Sequence, residues 1–291
     1  MLNKNKYLQL HFIVLLWGFT PVLGKLISLP ALDLVFWRLI FAGLSLAVFI
    51  VYKKFKFELS IKETSIIFIM GILVGAHWYF FYHAIKVSNV SIAMAGFSTM
   101  TLFGSVLQPI LMKKKFFWGD AFYGFILLFG LAIILKFESG SIEGVIYGIL
   151  AAFTGAFFGT YNGKLILKHN SSYITLVEFI GALAFIVIVK LIINDNHFYL
   201  TPFSNYDIAW LLVLSILCTT LAFTLSVEIM KYFTPFTVII TNNLEPVYGV
   251  LFSLLLFGQS EIMSSQFYFG ALIILICVFS YPFFKKKFER L

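Results

Sequence analysis

Charge is scarce in this chain. Only 12% of its 291 residues are Asp, Glu, Lys or Arg, where a soluble globular domain carries roughly 25%. That shortage excludes a soluble enzyme or binding domain and leaves too little polar sequence for a separate soluble module. Cysteine is scarcer still. Cys218 and Cys277 both fall inside apolar runs, which excludes a disulfide framework and a cysteine zinc site. The motifs that carry chemistry are missing as well. The chain has no Walker A loop, no dinucleotide glycine pattern in strand context, no nucleophile elbow and no metal-spaced histidine pair. The expectation is a protein that is not an enzyme, with no catalytic residues, no cofactor and no metal. Without a nucleotide site, it does not power transport by itself.

What is present is apolar sequence. The chain is 61% hydrophobic, with 36 Phe and a mean hydropathy of +0.98. Ten apolar stretches fill it: Leu8–Leu29, Ala31–Tyr52, Glu63–Ile85, Val90–Met112, Phe117–Phe137, Gly144–Leu167, Tyr173–Ile193, Asp207–Met230, Phe236–Phe257 and Gln266–Phe284. Lipid offers no hydrogen bonds to a bare backbone, so each run of about 20 residues must cross as a helix. The first run is too long for a signal-peptide core and lacks a small-residue cleavage pattern, so it is read as a retained span. The fold expected is all-α, an integral membrane protein of one transmembrane domain.

Lysine and arginine select the sidedness. With the N-terminus in the cytoplasm, the inner side holds Lys4, Lys6, Lys53, Lys54, Lys56, Lys62, Lys113, Lys114, Lys115, Lys164, Lys168, Lys231, Lys285, Lys286, Lys287 and Arg290, which is 16 of 21. Lys25, Lys86, Lys136 and Lys190 fall at outer ends, and Arg38 within a span. The topology expected is N-in, C-in. The same placement disposes of a nucleic-acid partner, because the net charge of +8 is spread over loops between spans. The bilayer is the one large partner implied; oligomeric state is not readable.

The ten stretches form two copies of a five-span unit, residues 8–137 and 144–284. Five is odd, so the second copy enters the membrane from the opposite side. Inverted repeats with a site at their interface underlie alternating-access transport. Traces of duplication survive. Gly24-Lys25-Leu26-Ile27 is echoed by Gly163-Lys164-Leu165-Ile166, Phe103-Gly104 by Tyr248-Gly249, and Gly124 by Gly270, at offsets of 139, 145 and 146.

Polar residues inside spans are the candidates for function. Glu245 lies about nine residues into the ninth span, where a carboxylate costs roughly 2.5–3.5 kcal/mol on insertion scales. Asn242, Glu245, Gly249 and Phe252 share one helix face. Pro246 removes a backbone donor beside the acid and bends the helix or frees a carbonyl. Glu245 either faces a cavity, binding a cationic group or relaying a proton, or pins its helix to a neighbour. In the fourth span Ser91, Met94, Ser98, Thr101, Ser105 and Gln108 form a stripe that either lines a wet cavity or hydrogen-bonds across a helix interface. Span three offers His77 at depth, with Tyr82 and His83 expected in an interfacial belt. Trp17, Thr20 and Pro21 mark a place where the first span breaks. Gly155, Gly159 and Gly163 read as a close-packing ridge, as do Gly71 and Gly75; Tyr161 and Asn162, beside the first, are candidate cavity residues. Arg38 and Glu178 occupy corresponding places in the two copies, but inversion puts about 15 Å of depth between them at 1.5 Å per residue. Each is a gate residue or a structural charge. Arg38 would reach outward to Asp33, and Glu178 to Lys164 or Lys231.

Trp17-Gly18 followed by Pro21 and Lys25, Arg38 in the second span, and Asn243-Leu244-Glu245-Pro246 leading to Phe257-Gly258 together resemble an EamA-type permease of the drug/metabolite transporter superfamily. The resemblance runs from about Leu8 to Phe284. It implies a 5+5 inverted-repeat bundle with a central cavity, exporting or exchanging small metabolites across a bacterial plasma (inner) membrane. The sequence departs from the family's Gly-Glu pairs after spans four and nine, reading Lys113-Lys114-Lys115 and Gly258-Gln259-Ser260-Glu261, so no role transfers to those loops. The function expected is secondary transport of a small metabolite, with protons as the candidate coupling ion. The expected cavity lining is Trp17, Thr20, His77, Ser98, Thr101, Tyr161, Asn242 and Glu245. A flippase for lipid-linked substrates and a non-transporting scaffold or sensor are the alternatives.

Overall fold

The computed structural model describes residues 4–55, 59–113, 119, 122–123, 126, 129–130, 132–134, 142–193, 199–242 and 244–288. Among them every regular element is helical. Eight helices are long and apolar enough to span a membrane: Asn5–Leu26, Ala31–Tyr52, Ile61–Val87, Val90–Met112, Ile142–Leu165, Ser171–Ile193, Asn205–Ile229 and Pro235–Glu261. A further apolar helix, Ser265–Cys277, is shorter by that measure and belongs to a 24-residue helix. The expected fifth span, Phe117–Phe137, lies mostly outside the described residues. Those of it that are described, among them Tyr123, Ile126 and Ile134, pack with Phe267, Ile274 and Cys277 in a satellite core.

Local chemistry sets the helix ends. Ser60 and Glu63 form a capping box that starts α4 (Ile61–Val87), and Asn89 Oδ1 accepts from Ile92 N at 2.8 Å to start α5 (Val90–Phe97). Ser204 and Asp207 repeat the capping box at α9 (Asn205–Leu212). Each satisfies donors that the first helical turn leaves without partners.

Several spans are interrupted part-way. The first divides at Phe19 into α1 (Lys4–Gly18) and α2 (Thr20–Leu26), with Pro21 in the first turn of the second piece. The fourth divides at Ser98–Thr99, between α5 and α6 (Met100–Met112). In the ninth span, α11 (Pro235–Asn242) and α12 (Leu244–Phe257) flank Asn243, which lies outside the described residues. The eighth widens into a π-helical stretch, Val213–Leu221, between α9 and α10 (Ala222–Ile229). Breaks inside lipid survive only where side chains or a cavity satisfy the freed backbone. By contrast α3 (Ala31–Tyr52), α7 (Ile142–Leu165), α8 (Ser171–Ile193) and the final α13 (Ser265–Phe288) are continuous.

The two halves interlock. α4 packs on α7 and α8, and its counterpart five spans on packs likewise, α10 on α1 and the π-helical stretch on α3. α5 and α6 pack on α7, and α12 correspondingly packs on α1 and α2. Small residues permit the closest crossings. A Cβ at Gly71 would overlap the Glu178 backbone, and one at Gly181 would overlap Phe68 O. Gly96 and Gly148 make a similar seam between α5 and α7.

Candidate functional site

The helix breaks converge on one cavity. Its walls come from both halves: Trp17, Thr20, Arg38, His77, Trp78 and Phe97 from the first, Phe158, Asn162, Phe223, Asn242 and Glu245 from the second. The cavity has a volume of about 60 Å³.

Each polar group on that wall is held by a specific neighbour. Trp17 Nε1 donates to Cys218 O at 3.0 Å, bridging the break in the first span to the π-helical stretch. The Thr20 hydroxyl lies 2.7 Å from Trp17 O and 3.3 Å from Glu245 Oε1. It therefore ties the broken turn of span one to the acid of span nine. His77 Nδ1 donates to Ala151 O at 2.7 Å. A carbonyl only accepts, so the proton sits on Nδ1 and a neutral ring keeps Nε2 as an acceptor. The rings of Phe81, Phe97 and Phe158 surround it.

Arg38 is the cationic pole. It is 3% exposed. Its Nε donates to Thr219 Oγ1 at 2.6 Å and its Nη1 to the Tyr82 hydroxyl at 2.9 Å. Its guanidinium carbon sits 3.9 Å from the Trp78 ring centroid, a cation–π stack. Thr219 in turn donates to Leu214 O, five residues back, so the π-helical widening is what brings this hydroxyl to the arginine. Neither Arg38 nor Glu245 takes part in an ion pair among the described residues. The cavity wall thus carries one basic residue, one acidic residue and several aromatic rings. Such a site can bind a small polar molecule through the hydrogen-bonding capacity that Arg38 and Glu245 retain beyond these contacts.

Residues singled out by sequence that meet here are Trp17, Thr20, Arg38, His77, Asn162, Asn242 and Glu245, with Gly155 and Gly159 of the ridge. Asn243 lies outside the described residues. Ser98 instead faces a second, almost wholly apolar groove between α5, α12 and α13, lined also by Ser91, Met94, Val250, Phe267 and Leu275; its hydroxyl returns to Ala95 O at 2.7 Å. Thr101 is buried but is not part of the cavity wall. Tyr161 is half-buried, with Lys164 Nζ 5.5 Å from its ring centroid. The rest of the fourth-span stripe also serves packing. Ser105 bonds Leu102 O, and Gln108 Oε1 accepts from Phe236 N at the start of α11.

Other partners differ from the sequence expectation. Asp33 is taken by Lys190 and by Thr201 N, so Arg38 turns inward. Glu178 meets neither lysine expected for it; Asn162 Nδ2 donates to its Oε2 at 3.3 Å. Tyr82, expected in the interfacial belt, is fully buried on Arg38. Of the glycine ridge, Gly155 abuts His77 and Gly163 abuts Pro235, but Gly159 faces open space in the cavity wall. Sequence reasoning passed over Phe97, Phe158, Phe223 and Ser226. Only Ser226 carried a signal, as a polar residue within an apolar run.

Comparison with known proteins places this geometry. The EamA-like transporter family matches residues 6–136 and again 142–281. No curated protein matches. Among solved structures, one described only as "Crystal structure of protein" is 13% identical, covers 99% of each chain and superposes with a TM-score of 0.68; at that identity the likeness is one of fold. Two family matches, one on each half and together spanning nearly the whole sequence, make this multi-pass membrane protein a member of the EamA-like transporter family.

Proposed function

We propose that the chain is a secondary transporter that exports or exchanges a small metabolite by alternating access through the central cavity. In this reading ten spans form two inverted five-helix repeats, 8–137 and 144–284, within one domain. Both termini are cytoplasmic and the membrane is the bacterial inner membrane. The chain is not an enzyme; it changes the ligand's compartment and not its bonds.

One observation carries the reading: a cavity with walls from both halves, beside the interrupted first and fourth spans and the π-helical eighth, presents Arg38 and Glu245 with no ion pair between them among the described residues. Buried charges are costly unless paired, so opposite charges kept apart on one wall favour a ligand that supplies the missing partners. Trp17, Trp78, Phe158 and Phe223 suit an apolar body. Glu245 is the coupling group, because its carboxylate can hold a proton or a ligand's cationic group but not both at once.

The test is uptake and efflux in proteoliposomes with a labelled-metabolite panel and an imposed pH gradient. Gradient-dependent movement of one chemical class supports the reading. Glu245→Gln, a near-isosteric change, should leave the protein folded and abolish transport driven by the pH gradient. An unaltered gradient response in well-folded Glu245→Gln would reduce Glu245 to a packing role. The apolar groove between α5, α12 and α13 favours one second reading, a flippase whose lipid-linked substrate enters sideways. That reading expects lipid movement and no response to the soluble panel.

A further inference from the structure

The cavity has a second acid beneath it that the transport scheme above leaves unused. Glu178 is fully buried, with Asn162 donating to Oε2, and Oε1 has no hydrogen-bond partner among the described residues. Asn162 is 1% exposed and forms part of the cavity wall; its Oδ1 is likewise without a donor. Two orphan acceptor oxygens therefore sit on a bonded pair of side chains, one of which belongs to the cavity wall.

The charged and titratable groups on the surrounding elements are committed elsewhere. On α3, Asp33 is paired with Lys190 of α8, and Arg38 is held by Thr219 and Tyr82. On α4, Glu63 bonds Ser60 and lies near His169, His77 donates to Ala151 O, and Lys86 donates to Ile27 O. Lys164 of α7 lies over Tyr161, and Glu228 of α10 pairs with Lys231. Glu245 contacts Thr20 across the cavity. Glu178 has only an amide for a partner, and an amide has two faces. One terminal atom donates and the other accepts, and a half-turn about the last torsion exchanges them within a broad, roughly two-fold well.

We propose that Glu178 and Asn162 form a proton-controlled switch that sets the hydrogen-bonding polarity the cavity floor shows to its ligand. With Glu178 ionised, Nδ2 donates to the carboxylate and Oδ1 is left for the ligand, an acceptor suited to an ammonium, amide or hydroxyl group. When Glu178 takes up a proton from solution, its new O–H donates to Oδ1, the amide turns, and Nδ2 is left for the ligand. The floor then suits a carboxylate or carbonyl. One proton exchanges donor for acceptor at a single wall position, so the same cavity prefers different ligand groups on the two sides of a pH gradient. The inference deepens the transport reading and rests on it only for the identity of the ligand as cargo.

Infrared difference spectra of the purified protein, taken between acid and alkaline pH, test the switch without any transport. One carboxylic-acid C=O band and an asparagine amide band should appear together, and Glu178→Gln should remove both. Asn162→Ala should keep the acid band at a shifted frequency, because the acceptor of its O–H is gone. An amide signal that persists in Glu178→Gln overturns the proposal, as does an acid band unmoved by Asn162→Ala. If Glu178→Gln fails to fold, the Asn162→Ala spectrum decides alone. In proteoliposomes, KM for the transported metabolite should vary several-fold with pH in the Glu245→Gln background, where the coupling acid no longer titrates, and be flat in Glu245→Gln/Asn162→Ala. A pH dependence of KM that persists in the double variant overturns the switch. Should no metabolite move at all, the transport reading fails and the infrared result stands independently.

Discussion

The two ends of the bundle are built from different materials. At the end shared by Lys25, Ser28, Val90 and Asp207, acids join helices far apart in sequence. Glu261 accepts from Val90 N, Ser91 N and the Ser91 hydroxyl at 3.0–3.1 Å and pairs with Lys25 at 2.8 Å. Asp207 accepts from Ser28 N and Oγ, both at 2.7 Å, while capping its own helix. Asp33 and Lys190 make a third tie. At the opposite end, near Pro235 and Met230, most polar bonds stay local. Lys231 pairs with Glu228 three residues back, an exposed contact of little consequence for stability. Gln108 to Phe236 N and His169 beside Glu63 are the main bonds that cross between elements. The cavity lies toward this second end, bordered by Asn162, Met230 and Val238. Among the described residues the bundle is fastened by charge-assisted bonds at the first end and mainly by apolar contact at the second, so it is expected to open most readily at the second. Under the N-in topology, the fastened end faces outward.

The largest effect should come from breaking the fastened end. Glu261→Ala strands the Val90 and Ser91 backbone donors and frees Lys25. Each buried N–H left without an acceptor costs about 1–3 kcal/mol, so the pair amounts to about 2–6 kcal/mol. Thermal unfolding in detergent should show a large fall in Tm, and cysteines placed at residue 28 or 90 should label faster. An unchanged Tm would mean that the ends are fastened equally and the contrast is false.

The opposite end can be probed through its backbone contacts. Gly71→Ala inserts a methyl where the Glu178 backbone already lies. Overpacking of this kind costs typically about 1–3 kcal/mol. Because α4 and α8 cross there, the loss should appear as a lower Tm and reduced yield of folded protein. A neutral result would mean that this crossing yields easily, and that the seam tolerates more relaxation than its geometry suggests.

How much of this was readable beforehand follows from what each residue meets. The eight full-length spans that the structure describes were, because run length and hydropathy are local, and so was the break before Pro21. Glu245, Asn242 and Thr20 stood out because a polar side chain in lipid requires an explanation that an apolar one does not. Partners were not readable. Arg38 finds Thr219 181 positions away, in a helix widened by a π turn that no periodicity announces. Glu261 looked like a loop acid, yet it is a remote cap for α5. The stripe of the fourth span was open to several readings for a physical reason: Ser91 and Gln108 bond across helix interfaces, whereas the hydroxyls of Ser98 and Ser105 return to their own helix carbonyls and then need no water. Tyr82 carries a polar tip suited equally to a membrane interface or to a buried arginine, and only the fold decides between them.

The glycines of α7 show the same limit and give the smallest effect. Four-residue spacing makes Gly155, Gly159 and Gly163 look alike, but a Cβ at Gly159 meets nothing within 4 Å. Gly159→Ala should therefore escape the penalty expected at Gly71. Alanine restricts the unfolded chain and favours the helix, so the change should stabilise by roughly 0.5–1 kcal/mol. Opposite signs from the same substitution on two neighbouring helices would separate glycine kept for packing from glycine kept for space. The space matters to the ligand. Gly159→Leu should leave Tm close to that of the alanine variant while abolishing transport, because its side chain would occupy the cavity beside Asn162. A fold-preserving Gly159→Leu with full transport would place the path elsewhere in the bundle, and the apolar groove along α12 and α13 would then be the place to look.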